Sequence, residues 1–412
     1  MEQLNITLAL TGAVVVLVGL FSNRIKKSPV QEPMIAVFVG LAAGPHCFGW
    51  VDVASWGDET AILEQAARVT LAIGLMGVAL RLERGSVTTL FRPVLVLLTV
   101  VMTGMWLLSS AVVAWVLGLT MWKALLVGAV VTPTDPVVAS SIVTGKFASE
   151  RLPLRLRDTL SFEAGANDGL AYLFVMLPVL MLGHVPGEAW SRWIVQALLV
   201  GVLFATLLVG CVGFAAARLL AYARARGIIE STSLLSYTVA FSLLTLGGAK
   251  LLRADALISV FVAGVVFNRA TDTREEHEEQ HIQEAVAKLF TLPMFVIFGA
   301  ALPLTEWVHM GWPLAVLSVL VLLVRRLPVM GLVAPLLKRW LPLRDVAYLG
   351  WFGPIGIAAI YYALMSRKHV DDPLIWNAAS AVVFASILAH GVTAAPLTRL
   401  YSRRSDAAAS TG

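Results

Sequence analysis

Charge is scarce in this chain. Only 14% of its 412 residues are Asp, Glu, Lys or Arg, against 58% hydrophobic ones, and the mean hydropathy of +0.82 excludes a soluble globular domain. Cysteine is nearly missing: Cys47 and Cys211 both fall in apolar segments, which excludes a disulfide framework. The short start Met1-Glu2-Gln3-Leu4-Asn5 carries no basic region, so a cleaved signal peptide is not expected. The apolar runs do not alternate with a period of two, which excludes a membrane β-barrel. A Gly-X-Ser-X-Gly element and metal-spaced histidines are also wanting, and with them the grounds for a hydrolase or a resident metal. No enzyme and no cofactor are expected, and no filter loops recur as a channel would need.

What the chain does have is apolar helix-length runs along almost its whole length. Thirteen are read, at 5–23, 32–50, 62–80, 92–118, 122–145, 159–182, 192–218, 230–250, 255–270, 286–304, 311–336, 346–365 and 374–398. They predict one all-α polytopic domain over 1–412 in membrane lipid, ending in a short tail at 399–412. The loops alternate in charge. One set, with Arg24, Lys26, Lys27, Arg81, Arg84, Arg92, Lys146, Arg151 and their later counterparts, carries 22 Lys and Arg, against six on the opposite set. That asymmetry predicts an outside N-terminus and a cytoplasmic C-terminus in the cell membrane, and it accounts for the net charge of +5 without a nucleic-acid partner. The tryptophans Trp50, Trp56, Trp190, Trp193, Trp307, Trp312 and Trp376 fall at the predicted outer ends, as interface anchors do.

Two runs are interrupted at mid-depth. The fifth carries Thr132-Pro133-Thr134-Asp135-Pro136, and the twelfth carries Gly353-Pro354-Ile355-Gly356. Each Pro removes a backbone donor and crowds the preceding turn, so both helices are expected to unwind and expose helix ends within the membrane. With the seventh run as a linker, two six-helix halves of inverted topology emerge, and each break is fifth in its half. Matched breaks in inverted repeats point to a secondary-transporter binding site.

The sixth run adds Glu163-Ala164-Gly165-Ala166-Asn167-Asp168-Gly169. Carboxylates at membrane depth are costly unless paired, protonated or holding a cation, so they mark an ion or proton pathway by default. Glu163 and Asn167 share a helix face, and Asp168 lies about 100° further round, where it can face Asp135. Two carboxylates in one pocket repel each other, which favours a proton or a monovalent cation between them. Competition for the same oxygens is sufficient for exchange. The small residues Ala164, Gly165, Ala166 and Gly169 allow close approach of a neighbouring helix.

Thr134-Asp135-Pro136 followed by Glu163-Ala164-Gly165-Ala166-Asn167-Asp168-Gly169 resembles the Thr-Asp-Pro and Glu-Ser-Gly-X-Asn-Asp-Gly signatures of the monovalent cation/proton antiporter superfamily, in its sodium/proton exchanger branch of NhaP type. Gly44-Pro45, Arg326-Leu327-Pro328, Gly353-Pro354-X-Gly356 and His390-Gly391 extend the likeness over most of the chain. The resemblance implies a homodimer in which core helices, around 92–182 and 286–398, move against a scaffold formed by the remaining spans. It implies that Asp135, Asp168 and the Thr134 carbonyl hold the cation, with Thr132 in support, and that Asn167 marks electroneutral exchange. The chain departs from the pattern at Ala164, where a Ser ligand is usual, at Met76 and Gly77, where some members carry an acid, and at Ile355, where many carry an Arg that pairs with the counterpart of Glu163. Glu163 therefore needs another cation, and Arg325 and Arg326 in the eleventh run are the available ones, with Arg326 preferred.

Three further readings are blander. Glu64 and Arg68, at i and i+4, are expected to neutralise one another. His390 reads as a hydrogen-bonded packing histidine. The acidic stretch 272–284, with His277 and His281, reads as a solvated linker with a possible pH-sensing use. Two other functions remain open from sequence. A sodium-coupled organic-solute symporter shares broken helices, and an intramembrane aspartyl protease also needs two aspartates, although its Gly-X-Gly-Asp element is missing.

Overall fold

A computed structural model of the chain describes residues 2–228, 233–271 and 276–410, with the side chains of 141, 233–235, 276–284 and 404–410 left aside. The 272–284 stretch, read above as a solvated linker, thus lies outside the residues whose side chains are described. Among the described residues there are helices and no strands. In chain order they are α1 (Glu2–Ile25), α2 (Glu32–Ala43), α3 (Glu59–Arg81), α4 (Phe91–Leu117), α5 (Met121–Val130), α6 (Ser140–Val143), α7 (Leu154–Gly183), α8 (Pro186–Ala225), α9 (Ser233–Leu251), α10 (Ala256–Ala270), α11 (Glu276–Ala300), α12 (Trp312–Val324), α13 (Leu327–Leu337), α14 (Leu343–Trp351), α15 (Ile357–Arg367) and α16 (Pro373–Ser410), joined by shorter turns.

Every predicted window contains helix, but among the described residues seven helical stretches are long and apolar enough on their own to cross a bilayer, or eight if Ala285–Ala300 and the bent Leu304–Met310 count together. The shortfall from thirteen comes from the broken spans and from short helices such as α2, α5 and α10. Lipid-facing character is plain on the outer surface. Leu8, Leu20, Leu207, Leu251 and Leu332 project freely, while the core is filled by Ala, Val, Leu, Phe and Met.

Local chemistry sets the helix ends. Asp58 caps α3 by accepting from the Ala61 N–H at 3.1 Å, and Asp255 caps α10 through the Ile258 N–H at 2.8 Å. Both interrupted spans unwind where the prolines predict. α5 stops at Val130, and the chain runs irregularly through Thr132 to Asp135 before α6; α14 stops at Trp351, and the chain stays extended to Gly356 before α15. A third break was not read from the sequence. Arg325 and Arg326 interrupt the eleventh span between α12 and α13, immediately before Pro328.

Two sequence expectations need correction. Glu64 pairs with Lys368, at 2.6 Å, rather than with Arg68, because the end of α15 brings Lys368 over the start of α3. Trp376 is buried and set edge-on to Phe298, so it packs instead of anchoring at an interface. Cys47 and Cys211 are free.

α2 and α11 cross closely because Gly40 and Gly299 lack side chains: a Cβ at Gly40 would strike the Val296 carbonyl, and one at Gly299 would strike that of Val37. Backbone cannot turn aside as a side chain can. Gly40→Val is therefore expected to lower the melting temperature in detergent by several degrees or to abolish the monodisperse peak on size-exclusion chromatography, as overpacking costing about 1–3 kcal/mol would do.

Candidate cation and proton site

The two unwound segments cross at mid-molecule and are joined through their backbones. The Asp135 N–H donates to the Pro354 carbonyl at 2.7 Å. In return, the Asp135 carboxylate accepts from the Ile357 N–H, which opens α15, and its other oxygen accepts from Val137 N–H at 2.6 Å and Val138 N–H at 3.2 Å. One buried carboxylate thus takes the N–H that opens α15 and two N–H groups of the 136–139 turn that leads into α6. Gly356 makes this possible, since a Cβ there would collide with the Asp135 carboxylate.

The opposite polarity is met by Arg325. The break in α5 leaves the carbonyls of Val131, Thr132 and Pro133 without helical partners, and one Arg325 nitrogen donates to all three at 2.7, 2.9 and 3.2 Å. Its second nitrogen donates to the Gly353 carbonyl across the crossing. The Thr132 hydroxyl donates to Gly128 O at 2.7 Å, one turn back in α5.

Glu163 takes the neighbouring cation. Arg326 donates to both of its oxygens, at 2.7 and 2.8 Å, in a bidentate pair with both side chains 2–3% exposed, and also donates to Leu349 O at 2.8 Å. Asn167 connects this pair to the crossing. Its amide nitrogen donates to Glu163 at 3.1 Å and to the Thr134 hydroxyl at 2.6 Å, while its oxygen accepts from the Thr134 N–H at 3.0 Å. Ile355, where a further Arg was looked for, is wholly buried and donates its N–H to the Ser386 hydroxyl at 2.7 Å. His390 sets its Nδ1 against the Ser386 carbonyl and hydroxyl, at 2.9 and 3.1 Å, and its Nε2 against the Trp351 carbonyl, at 3.1 Å.

Asp168 differs from all of these. It is completely buried, one residue beyond Asn167, and neither carboxylate oxygen accepts a hydrogen bond among the described residues. Its backbone carbonyl is held by the Tyr362 hydroxyl at 2.7 Å, which fixes the helix but leaves the carboxylate unclaimed. The Thr134 carbonyl likewise accepts no hydrogen bond among the described residues. Among the described residues, a cavity of about 40 Å³ is lined by Arg81, Lys288, Pro136 and Val137, and an apolar one of about 470 Å³ by Phe162, Phe261 and Arg269.

The chain as a whole can be matched to known proteins. The model for "Sodium/hydrogen exchanger, transmembrane" fits residues 12–400. The chain belongs to the sodium/hydrogen exchanger family. Exchanger relatives include Na(+)/H(+) antiporter 2 of Zygosaccharomyces rouxii, 32% identical over 84% of this chain and 44% of that protein, and the Na(+)/H(+) antiporter of Saccharomyces cerevisiae, 30% identical over 96% and 44%. The chain therefore spans under half the length of these curated relatives. In fold it is similar to the sodium proton antiporter MjNhaP1 of Methanocaldococcus jannaschii at pH 8, with a TM-score of 0.75 at 19% identity, covering 96% of this exchanger chain and 98% of that one.

Sequence reasoning had no means of finding the Ile357 N–H, the Tyr362 hydroxyl or the carbonyl-binding role of Arg325, which depend on chain path rather than residue type. The pairing of Arg326 with Glu163 generates a test. Arg326→Ala leaves a buried carboxylate uncompensated and is expected to cost about 3–5 kcal/mol, read as a large drop in melting temperature, whereas Arg326→Met with Glu163→Gln is expected to recover most of that loss.

Proposed function

We propose that this chain is a secondary active antiporter that exchanges one Na+, with Li+ and K+ as alternative cargo, for one proton. The cation would bind Asp135, Asp168 and the Thr134 carbonyl, with Asn167 and the Glu163–Arg326 pair holding that ligand set in place. Membership of the exchanger family and the names of the curated relatives support the reaction class. The observation that carries the stoichiometry is a charge count. Asp135, Glu163 and Asp168 are each at most 2% exposed, and so are Arg325 and Arg326. Three carboxylates against two guanidinium groups leave a formal charge of −1, which a single proton or a single monovalent cation neutralises.

Alternating access follows from the same count. The loaded core is neutral with either cargo, so it can pass an apolar barrier, while the empty core carries an uncompensated charge worth several kcal/mol to move into low dielectric. Cation and proton thus compete for Asp168, the one carboxylate without a fixed partner. The core helices around 92–182 and 286–398 would carry the site past the remaining scaffold helices, within a homodimer in the cell membrane. The 22-to-six bias of basic residues supports an outside N-terminus and a cytoplasmic C-terminus.

Purified protein in liposomes with a trapped pH dye tests this directly. Added Na+, Li+ or K+ should move protons at a rate that does not change when valinomycin clamps the potential, since about 2.3 kcal/mol per charge per 100 mV acts only on net charge. Asp168→Asn and Asp135→Asn should each lower exchange at least about a hundredfold, as expected when a charge-assisted ligand worth about 3 kcal/mol is lost. Parental exchange by a folded Asp168→Asn protein would remove the site; a steep voltage dependence would remove the one-for-one count.

A further inference from the structure

The helix that touches the candidate site at one end meets the scaffold at the other. α15 opens with the Ile357 N–H on the Asp135 carboxylate, and its Tyr362 hydroxyl holds the Asp168 carbonyl at 2.7 Å. A rise of about 1.5 Å per residue puts the far end of this helix about 17 Å away. There Lys368, directly after Arg367, meets Glu64 of α3 at 2.6 Å. α3 runs from Glu59 to Arg81 of the basic loops, so the pair lies towards the face opposite those loops. Asp372, four residues on, is held instead by Lys123 of α5 at 2.6 Å. The turn after α15 is thus tied to the core by one ion pair and to the scaffold by the other.

The two partners of the scaffold pair are unequal. The Glu64 side chain is 9% exposed and that of Lys368 41%, so separating them strands the acid and not the base. The contact is a close charge pair without a directed hydrogen bond, since Glu64 Oε2 has no aligned donor among the described residues. One turn further along α3 stands Arg68, half-buried, with an Nε that has no hydrogen-bond partner and no ion pair on its guanidinium among the described residues. Its place at i+4 from Glu64 is the spacing at which acid and base on one helix meet. The buried acid therefore has a second, idle cation within reach on its own helix.

We propose that Glu64 changes partner from Lys368 to Arg68 when the core moves against the scaffold, which makes all three positioning residues for exchange. Lys368 holds α15 on α3 in the present arrangement. As α15 shifts past α3, by a step on the order of one helical turn, ~5.4 Å, Lys368 withdraws into water and Arg68 takes the acid. Glu64 is then never left uncompensated in low dielectric, and both end positions have a defined partner. The purpose of this device rests on the core movement proposed above, but the partner change can be measured apart from transport.

Nitroxide labels on Gln65→Cys and His369→Cys, both exposed, report the distance from α3 to the end of α15 by double electron–electron resonance, once Cys47 and Cys211 are replaced by Ser. Lys368→Met should move the distances into a second population, whereas Arg68→Met should leave the parental one alone. Melting temperature is the second measurement. Each single variant should lower it by roughly 2 °C or less, and the double variant by several degrees beyond their sum, because only there is Glu64 orphaned. Adding Glu64→Gln should restore the double variant, including its folding if that is lost. A Lys368→Met protein that keeps the parental distances, or melts as low as the double variant, would overturn the partner change. So would a double variant that Glu64→Gln fails to restore. In liposomes each single variant should slow cation-driven proton movement about tenfold, and parental rates in both would reduce the pair to a static contact. If the unaltered chain moves no cations, the antiport reading fails, while distances and melting temperatures still decide the partner change.

Discussion

A buried charge imbalance governs this molecule. Three carboxylates and two guanidinium groups share a core that lipid surrounds, and only two of the carboxylates have fixed partners. Glu163 is matched by Arg326, and Asp135 is matched by three backbone N–H groups, one at the start of α15 and two in the 136–139 turn. Asp168 is left over, with both oxygens unclaimed among the described residues. Desolvating an unpaired carboxylate is far more costly than any one packing contact in the fold, so a buried Asp168 needs a proton or a cation to offset its charge.

The breaks in the helices are what allow this imbalance to be held in one place. An unbroken helix consumes its own N–H and C=O groups and offers none to a neighbour. Interrupting two helices at the same depth frees donors at one set of ends and acceptors at the other, and the chain uses both: donors on Asp135, acceptors on Arg325. Arg325 is thus a structural counter-charge, spent on the carbonyls of Val131 to Pro133 and of Gly353, and it is not available to Asp168. Had it paired with Glu163 instead, those carbonyls would be orphaned in a region without water. Geometry therefore separates the two arginines that depth alone did not, and it leaves Arg326 the only one able to reach Glu163 with both nitrogens.

Much of this was legible in the chain. Pro133, Pro136 and Pro354 announced two breaks, because a missing donor is a local property of the residue, and the carboxylates announced the site, because their cost at membrane depth does not depend on the neighbours. Helix windows were equally readable from hydropathy. What could not be read were pairings across distance. Glu64 found Lys368, which is remote in sequence, over Arg68, which is one turn away, and the Arg325–Arg326 interruption looked like continuous helix since neither residue breaks helices by itself. Backbone partners such as the Ile357 N–H carry no sequence signal at all, as every residue but proline has one.

The glycine stripe on α7 shows how one pattern serves two needs at once. From sequence, Gly165 and Gly169 read equally as places where helices approach, and the structure divides them: backbone against backbone at Gly169, backbone against a movable ring at Gly165. Gly169 therefore sets how closely the backbones of α7 and α10 can lie, whereas Gly165 only makes room for a side chain, so a substitution at Gly169 must displace a helix and one at Gly165 need displace only a ring.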